Sequence, residues 1–206
     1  DGLLDANADA NHAADPRLWE KLVDDAKPYA ERTRVALADR LQVARPSVAL
    51  MSTAADMDNL AVVTRRHGPL TVTVLATAGA KSNAIRTGVD AGAYIEGADE
   101  DKKPAGTINI VLLSNIELTD AALARALITV TEGKTAALED LHVPSTYTST
   151  VQATGTGTDS IIAVSGTAAP RASYTGGHSR IGELIGKATY QAVIEALGKQ
   201  NGFFLP

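Results

Sequence analysis

The chain has 206 residues, of which 45% are hydrophobic and only 4% aromatic, with a formal net charge of −5 and no cysteine. Its core must therefore rest on Ala, Val, Leu and Ile. Disulfides, thiolate metal sites and a cysteine nucleophile are excluded. The acidic balance, with no long Lys/Arg cluster, argues against a non-specific nucleic-acid binder.

No apolar run approaches the roughly 20 residues needed to span a membrane. The sequence begins at Asp1 rather than Met. A removed leader and a trimmed start both stay open, so the cytoplasm is the expected compartment and export the alternative. Residues 1–15 are small, polar and acidic. Asp5, Asp9, Asn11 and His12 could hold a cation, but their spacing matches no known metal loop, which favours an irregular leading segment.

Asp15-Pro16 reads as a helix start, with Leu18, Trp19, Leu22, Val23 and Ala26 at helical spacing. Pro28 should end or kink that helix, and a second pattern runs from Ala30 to Leu41. Arg45-Pro46 breaks it, and Ser47–Met51 reads as a short buried strand. Thr53-Ala-Ala-Asp56 has a helix-start pattern. Met57, Leu60, Ala61 and Thr64 continue it to Arg66, where His67-Gly68-Pro69 stops it.

Leu70–Leu75 alternates as a strand. It opens into a loop carrying Thr77, Lys81, Ser82 and Asn83 beside Gly79, and ligands gather where strands of open sheets end. An ordinary turn remains the plain alternative. Residues 86–106 look like an exposed loop, and Gly106–Leu113 is the next strand. Asn109 in its middle is unusual, because a buried amide needs several partners.

Leu118–Leu141 reads as the longest helix, with a small-residue face of Ala122, Ala126, Val130 and Ala137. Inside it, Thr131-Glu-Gly-Lys-Thr135 imitates a phosphate loop. The glycine that motif needs five residues earlier is replaced by Ile128, and the segment is helical, so nucleotide binding is rejected. Glu132 and Thr135 should share one face and Lys134 another.

A strand over Thr150–Ala153 then enters Thr154-Gly-Thr-Gly-Thr-Asp159, and Ser160–Val164 leaves it, as in a hairpin. Three hydroxyls, two glycines and one carboxylate occupy these six residues. The segment reads either as a tight turn, with Asp159 satisfying turn amides, or as a turn that converges on a ligand. Gly166–Gly177 is loop. His178 precedes a helix over Ile181–Leu197 that Gly198 should end. A helix start disfavours imidazolium, so His178 suits either a general base or a cap. The Phe203-Phe204 tail would favour docking on the body or self-association.

The expected architecture is α/β (or α+β): a single domain with a mixed sheet of about five strands and helices packed on it. Residues 1–45 form a leading segment with the N-terminal helices, 46–198 the main domain and 199–206 a tail.

Several segments together resemble the adenosylcobinamide amidohydrolases of corrinoid salvage. They are V-A-L-M-S-T-A-A-D-M at 48–57, T-V-L-A-T-A-G at 73–79, S-N-A-I-R at 82–86 and G-T-I-N-I-V at 106–111. After them come L-T-D-A-A-L at 118–123, T-E-G-K-T-A-A-L at 131–138, T-G-T-G-T-D at 154–159 and H-S-R-I-G-E-L-I-G at 178–186. The resemblance implies hydrolysis of the amide joining a corrin propionate to aminopropanol. Adenosylcobyric acid and aminopropanol would be the products. Lys81 looks like an insertion relative to the family, and the loop over 88–105 looks long.

Amide hydrolysis needs a nucleophile, oxyanion donors and an acid for the leaving amine. The candidates for chemistry are Asp159, His178, Glu132, Lys134 and Thr156. Thr77, Ser82, Asn83, Asn109, Thr135, Thr154 and Thr158 are the candidates for substrate binding. No metal site or protein cofactor is expected, since the substrate itself would carry cobalt. The alternatives are a protein that binds a corrinoid without cleaving it, and an amidase of the same family with another substrate.

Overall fold

The computed structural model describes residues 16–92 and 106–206, with side chains from Tyr29 onward. The candidate cation ligands Asp5, Asp9, Asn11 and His12, and most of the long loop, lie outside the described residues. The chain divides into two compact units after Ser52.

The first unit holds α1 (Pro16–Leu41) and a 3-10 turn at Arg45–Ser47. The helix runs through Pro28 as one element. A proline removes a single hydrogen bond and adds a local clash, and the flanking residues are good helix formers, tied by the Glu31–Arg34 ion pair. The strand expected at Ser47–Met51 is absent: Ser47 ends the 3-10 turn, residues 48–51 are irregular, and the stretch is mostly exposed.

The second unit, Thr53–Pro206, is an α/β structure. Its strands are β1 (Ala61–His67), β2 (Leu70–Ala78), β3 (Ala84–Ile85), β4 (Ile108–Ser114), β5 (Ile116–Leu118), β6 (Gly155–Thr156), β7 (Ser160–Val164) and β8 (Ala168–Ala172). Its helices are α2 (Asp120–Asp140) and α3 (Arg180–Asn201). Four strands, in the order β1-β2-β4-β7, make one mixed sheet. The β1/β2 and β2/β4 pairs are antiparallel and β4/β7 is parallel. Two small sheets pair β3 with β6 and β5 with β8.

Period-two alternation decides which sheet face is buried. Val72, Val74, Ala76, Ile108, Ile110 and Leu112 are fully buried on one side, where α3 packs on β1 and β2 and α2 packs on α3 and β7. Thr73, Leu75 and Val111 on the other side are half-buried. Ala122, Ala126, Val130 and Ala137 of α2 and Ala188, Ala192 and Ala196 of α3 are all buried, and their small size suits a close layer.

The Thr53–Arg66 helix is not formed. Thr53 and Asp56 do accept the amides of Ala55 and Asp58, but the result is a 3-10 turn at Met57–Asn59 followed by β1. The β-branched run Val62-Val63-Thr64 alternates exposed and buried, which suits a strand. His67 therefore ends a strand, and Gly68, at φ 52°, makes the hairpin turn to β2.

The expected hairpin around the Thr-Gly turn is also absent. Gly155–Thr156 pairs with β3, while β7 joins β4 in parallel. Residues 168–172, expected as loop, form β8. The longest helix is α1, not α2. Helix α3 passes Gly198 and ends at Gly202, which caps it at φ 71°. Of the tail, Phe203 packs on the core while Phe204 is exposed. No helix among the described residues is long and apolar enough to cross a membrane.

Candidate functional site

The Thr-Gly turn is held at both ends by consecutive residues of α2. Lys134, buried on the inner face, donates from Nζ to Asp159 Oδ2. Thr135 Oγ1 donates to the Thr154 carbonyl at 3.2 Å. Gly133 has a separate task. A Cβ there would stand 3.0 Å from the Gly186 carbonyl oxygen and 3.3 Å from Thr189 Cβ, so its absence lets α2 close on α3. The phosphate-loop look of this segment is thus a helix contact followed by two turn anchors.

Asp159 is the focus of the cluster. Its Oδ1 accepts the backbone amides of Ile108 and Thr156, each at 3.1 Å, and the Thr156 hydroxyl. A carboxylate with this many donors is fixed in direction. Only 14% of its side chain reaches solvent. At Gly155 a Cβ would collide with both the Asp159 carboxylate and the Lys134 ammonium, so any side chain there must displace the cluster.

A second layer backs the turn. Asn83, 1% exposed, donates from Nδ2 to the Gly106 carbonyl at 2.9 Å and to Thr158 Oγ1 at 3.4 Å. The Thr158 hydroxyl donates to the same carbonyl at 3.0 Å. Thr154 Oγ1 accepts the Thr87 amide at 3.0 Å. Thr107, which the sequence reading passed over, donates to the Thr158 carbonyl at 2.8 Å. Its only signal was its place at the head of the G-T-I-N-I strand segment.

The turn's donors are engaged within the protein. The Thr156 amide serves Asp159, the Gly157 amide serves the Asn83 carbonyl at 3.2 Å, and the Thr158 amide serves Thr156 Oγ1 at 3.4 Å. These amides and the Asn83 side chain therefore point to acceptors within the protein. The physical reason is that a tight turn first satisfies its own polar groups.

The remaining candidates are dispersed. Thr77, Asn109 and Ser160 lie in register across β2, β4 and β7, on the sheet face turned away from α2 and α3. Thr77 donates to Thr53 Oγ1 at 3.3 Å, and Asn109 Oδ1 accepts from Thr107 at 3.4 Å. Ser82 is exposed beside Gly106. Glu132 is exposed on the outer face of α2 and pairs with Arg125 at 3.6 Å. His178 is exposed, and the helix cap belongs to its neighbour: Ser179 Oγ accepts the Gly182 amide at 3.1 Å. Glu132 and His178 thus lie outside the Asp159–Lys134–Thr156 cluster. Among the described residues no three His, Asp or Glu side chains group as a metal site.

The family model for adenosylcobinamide amidohydrolase matches residues 1–204. An uncharacterized protein of Methanocaldococcus jannaschii is 41% identical over 211 residues, which cover 98% of this chain and 80% of the relative. No solved structure matches the chain. The Thr-Gly turn, its two anchors on α2 and the backing asparagine all fall inside the matched span, and the chain belongs to the adenosylcobinamide amidohydrolase family.

Proposed function

We propose that the protein hydrolyses adenosylcobinamide at the amide between a corrin propionate and aminopropanol, releasing adenosylcobyric acid and aminopropanol. The observation that carries this reading is the family match over residues 1–204. In the reaction we infer, Thr156 Oγ attacks the amide carbonyl carbon and its proton passes to Asp159, whose Oδ1 already receives that hydroxyl. The C–N bond breaks as Lys134, beside Asp159, gives a proton to the departing amine and takes in its place the one that Asp159 holds. Water then cleaves the threonine ester, returning the hydroxyl and releasing the carboxylic acid, so that one water is consumed per amide. A hydroxyl fits the role better than a free water because Asp159 Oδ1 is already filled by three donors.

One observation favours a second reading. The turn amides and Asn83 are all bonded internally, as suits a rigid turn in a protein that binds a corrinoid without cleaving it.

Incubation with adenosylcobinamide, followed by mass spectrometry for loss of aminopropanol, separates the two. Catalytic turnover is expected, with Thr156→Ala and Asp159→Asn each slower by at least ~100-fold while still folded. Stoichiometric binding with no product on long incubation selects the second reading. Full turnover in both variants would move the chemistry away from this cluster.

A further inference from the structure

Gly186 stands in the middle of α3, where alanine is the better helix former. Packing does not require the glycine. An added Cβ would meet only Thr129 Cγ2, at 3.9 Å, an ordinary contact. Nor does conformation, since its φ is not positive. Gly177, just ahead of the helix, has nothing within 4 Å of its Cβ position and no positive φ either.

Both residues line one groove, of about 610 Å³, between α2 and α3. Two further glycines line it and do answer to the fold. Gly133 admits the Gly186 carbonyl at 3.0 Å, and a Cβ at Gly182 would collide with the Gly176 carbonyl. Folding therefore explains half of this bare floor and leaves the other half unexplained. Exposed backbone is what the close approach of a broad, rigid group needs.

The groove runs into a second surface on α2 that reaches one anchor of the turn. Glu132 and Ala136 line both it and the adjoining apolar surface of α2, where Leu127 and Ile128 are exposed. Thr135 lines that same surface and holds the Thr154 carbonyl. Residues of two separate stretches, 131–138 and 178–186, line the floor together.

We propose that this groove seats the corrin macrocycle of the substrate, a broad apolar ring with amide-bearing arms, against the bare backbone at Gly186. The inference rests on the corrinoid reading above and deepens it. The scissile amide lies on an arm of the ring, so the ring must sit beside the Asp159 cluster rather than on it. Gly133 on the floor directly precedes Lys134, which reaches Asp159 from the other face of α2.

The test uses Gly186→Leu and Gly186→Ala in the full chain. Binding is read by equilibrium dialysis with adenosylcobyric acid, which lacks the cleavable amide, and turnover with adenosylcobinamide. Gly186→Leu should weaken binding at least ~10-fold and raise KM in proportion, with the melting temperature not lowered. Wild-type affinity in folded Gly186→Leu overturns the proposal. So does a loss of self-association in sedimentation with corrinoid affinity unchanged, which would assign the groove to a second copy. If Gly186→Leu does not fold, Gly186→Ala decides, with a weakening of about threefold expected and none overturning. A wild-type protein that binds neither corrinoid sinks the functional reading itself. A wild-type protein that cleaves, with Gly186→Leu cleaving at the same KM, removes the groove alone.

Discussion

Lys134 donates to Asp159 from the helix position directly before Thr135, whose hydroxyl holds the Thr154 carbonyl, so one turn of α2 grips both ends of a six-residue segment. Removing the ammonium strands a carboxylate that has little solvent to fall back on. Breaking such a buried pair from one side costs about 3–5 kcal/mol. Lys134→Met should therefore lower the urea midpoint accordingly. An unchanged midpoint would mean that the backbone amides of Ile108 and Thr156 carry the charge unaided.

Gly155 gives a sharper test of the same geometry, because the obstacle is the cluster itself. A methyl group there must displace either the Asp159 carboxylate or the Lys134 ammonium. Overpacking of this kind costs about 1–3 kcal/mol, and the displacement should abolish most amide hydrolysis. Gly92→Ala, with nothing within 4 Å of the added atom, is the control and should behave as wild type. Equal activity in the two variants would remove the cluster from the chemistry.

The turn was legible because its residue types are uncommon together and because Glu132 and Lys134, two apart on a helix, had to point different ways. Lys134 proved to be the inward one. What holds the turn was not legible. Its partner Asn83 is 75 residues from Thr158, and Gly106 and Ile108 are 52 and 51 residues from theirs, brought in by the β3/β6 and parallel β4/β7 pairings that no local pattern announces. Local signals also competed. Leu60, Ala61 and Thr64 fit a helical spacing, while Val62-Val63-Thr64 fits a strand, and pairing with β2 settled the matter. At the end of α3, Gly198 looked like the stop, but its place is the helix interior, buried beneath the tail.

Ser179 and His178 separate capping from chemistry at the start of α3. Ser179 supplies the cap through Gly182, so Ser179→Ala should cost about 1 kcal/mol in thermal or urea unfolding. His178, exposed and one residue further out, should leave stability unchanged when replaced by alanine. Turnover by His178→Ala then reports on the rim of the α2–α3 groove, since the adjacent Gly177 lines it. A stability loss in His178→Ala equal to that in Ser179→Ala would show that the histidine shares the capping role.

Asp90 should make stability fall in acid through a single loop clasp. Its Oδ2 accepts the Ser145 hydroxyl and the Arg86 amide, each at 2.6 Å. Hydrogen bonds from the Ser145 side chain first, then Thr148, then the Arg86 backbone hold the carboxyl below the usual aspartate value. The folded protein thus binds this proton less readily than the unfolded chain. The stabilisation is therefore present above the unfolded value, near 3.8, and is lost as pH falls through the lower folded one. Asp90→Asn keeps the shape but not the charge, so it should melt below wild type at neutral pH by a gap that is constant above about pH 5. That gap should shrink as the pH drops below about 4, because the protonated wild-type carboxyl then resembles the amide. Melting curves of the two proteins across this range decide the matter. A gap that stays constant into acid would mean that the Ser145 and Arg86 bonds hold the loop equally well without the charge.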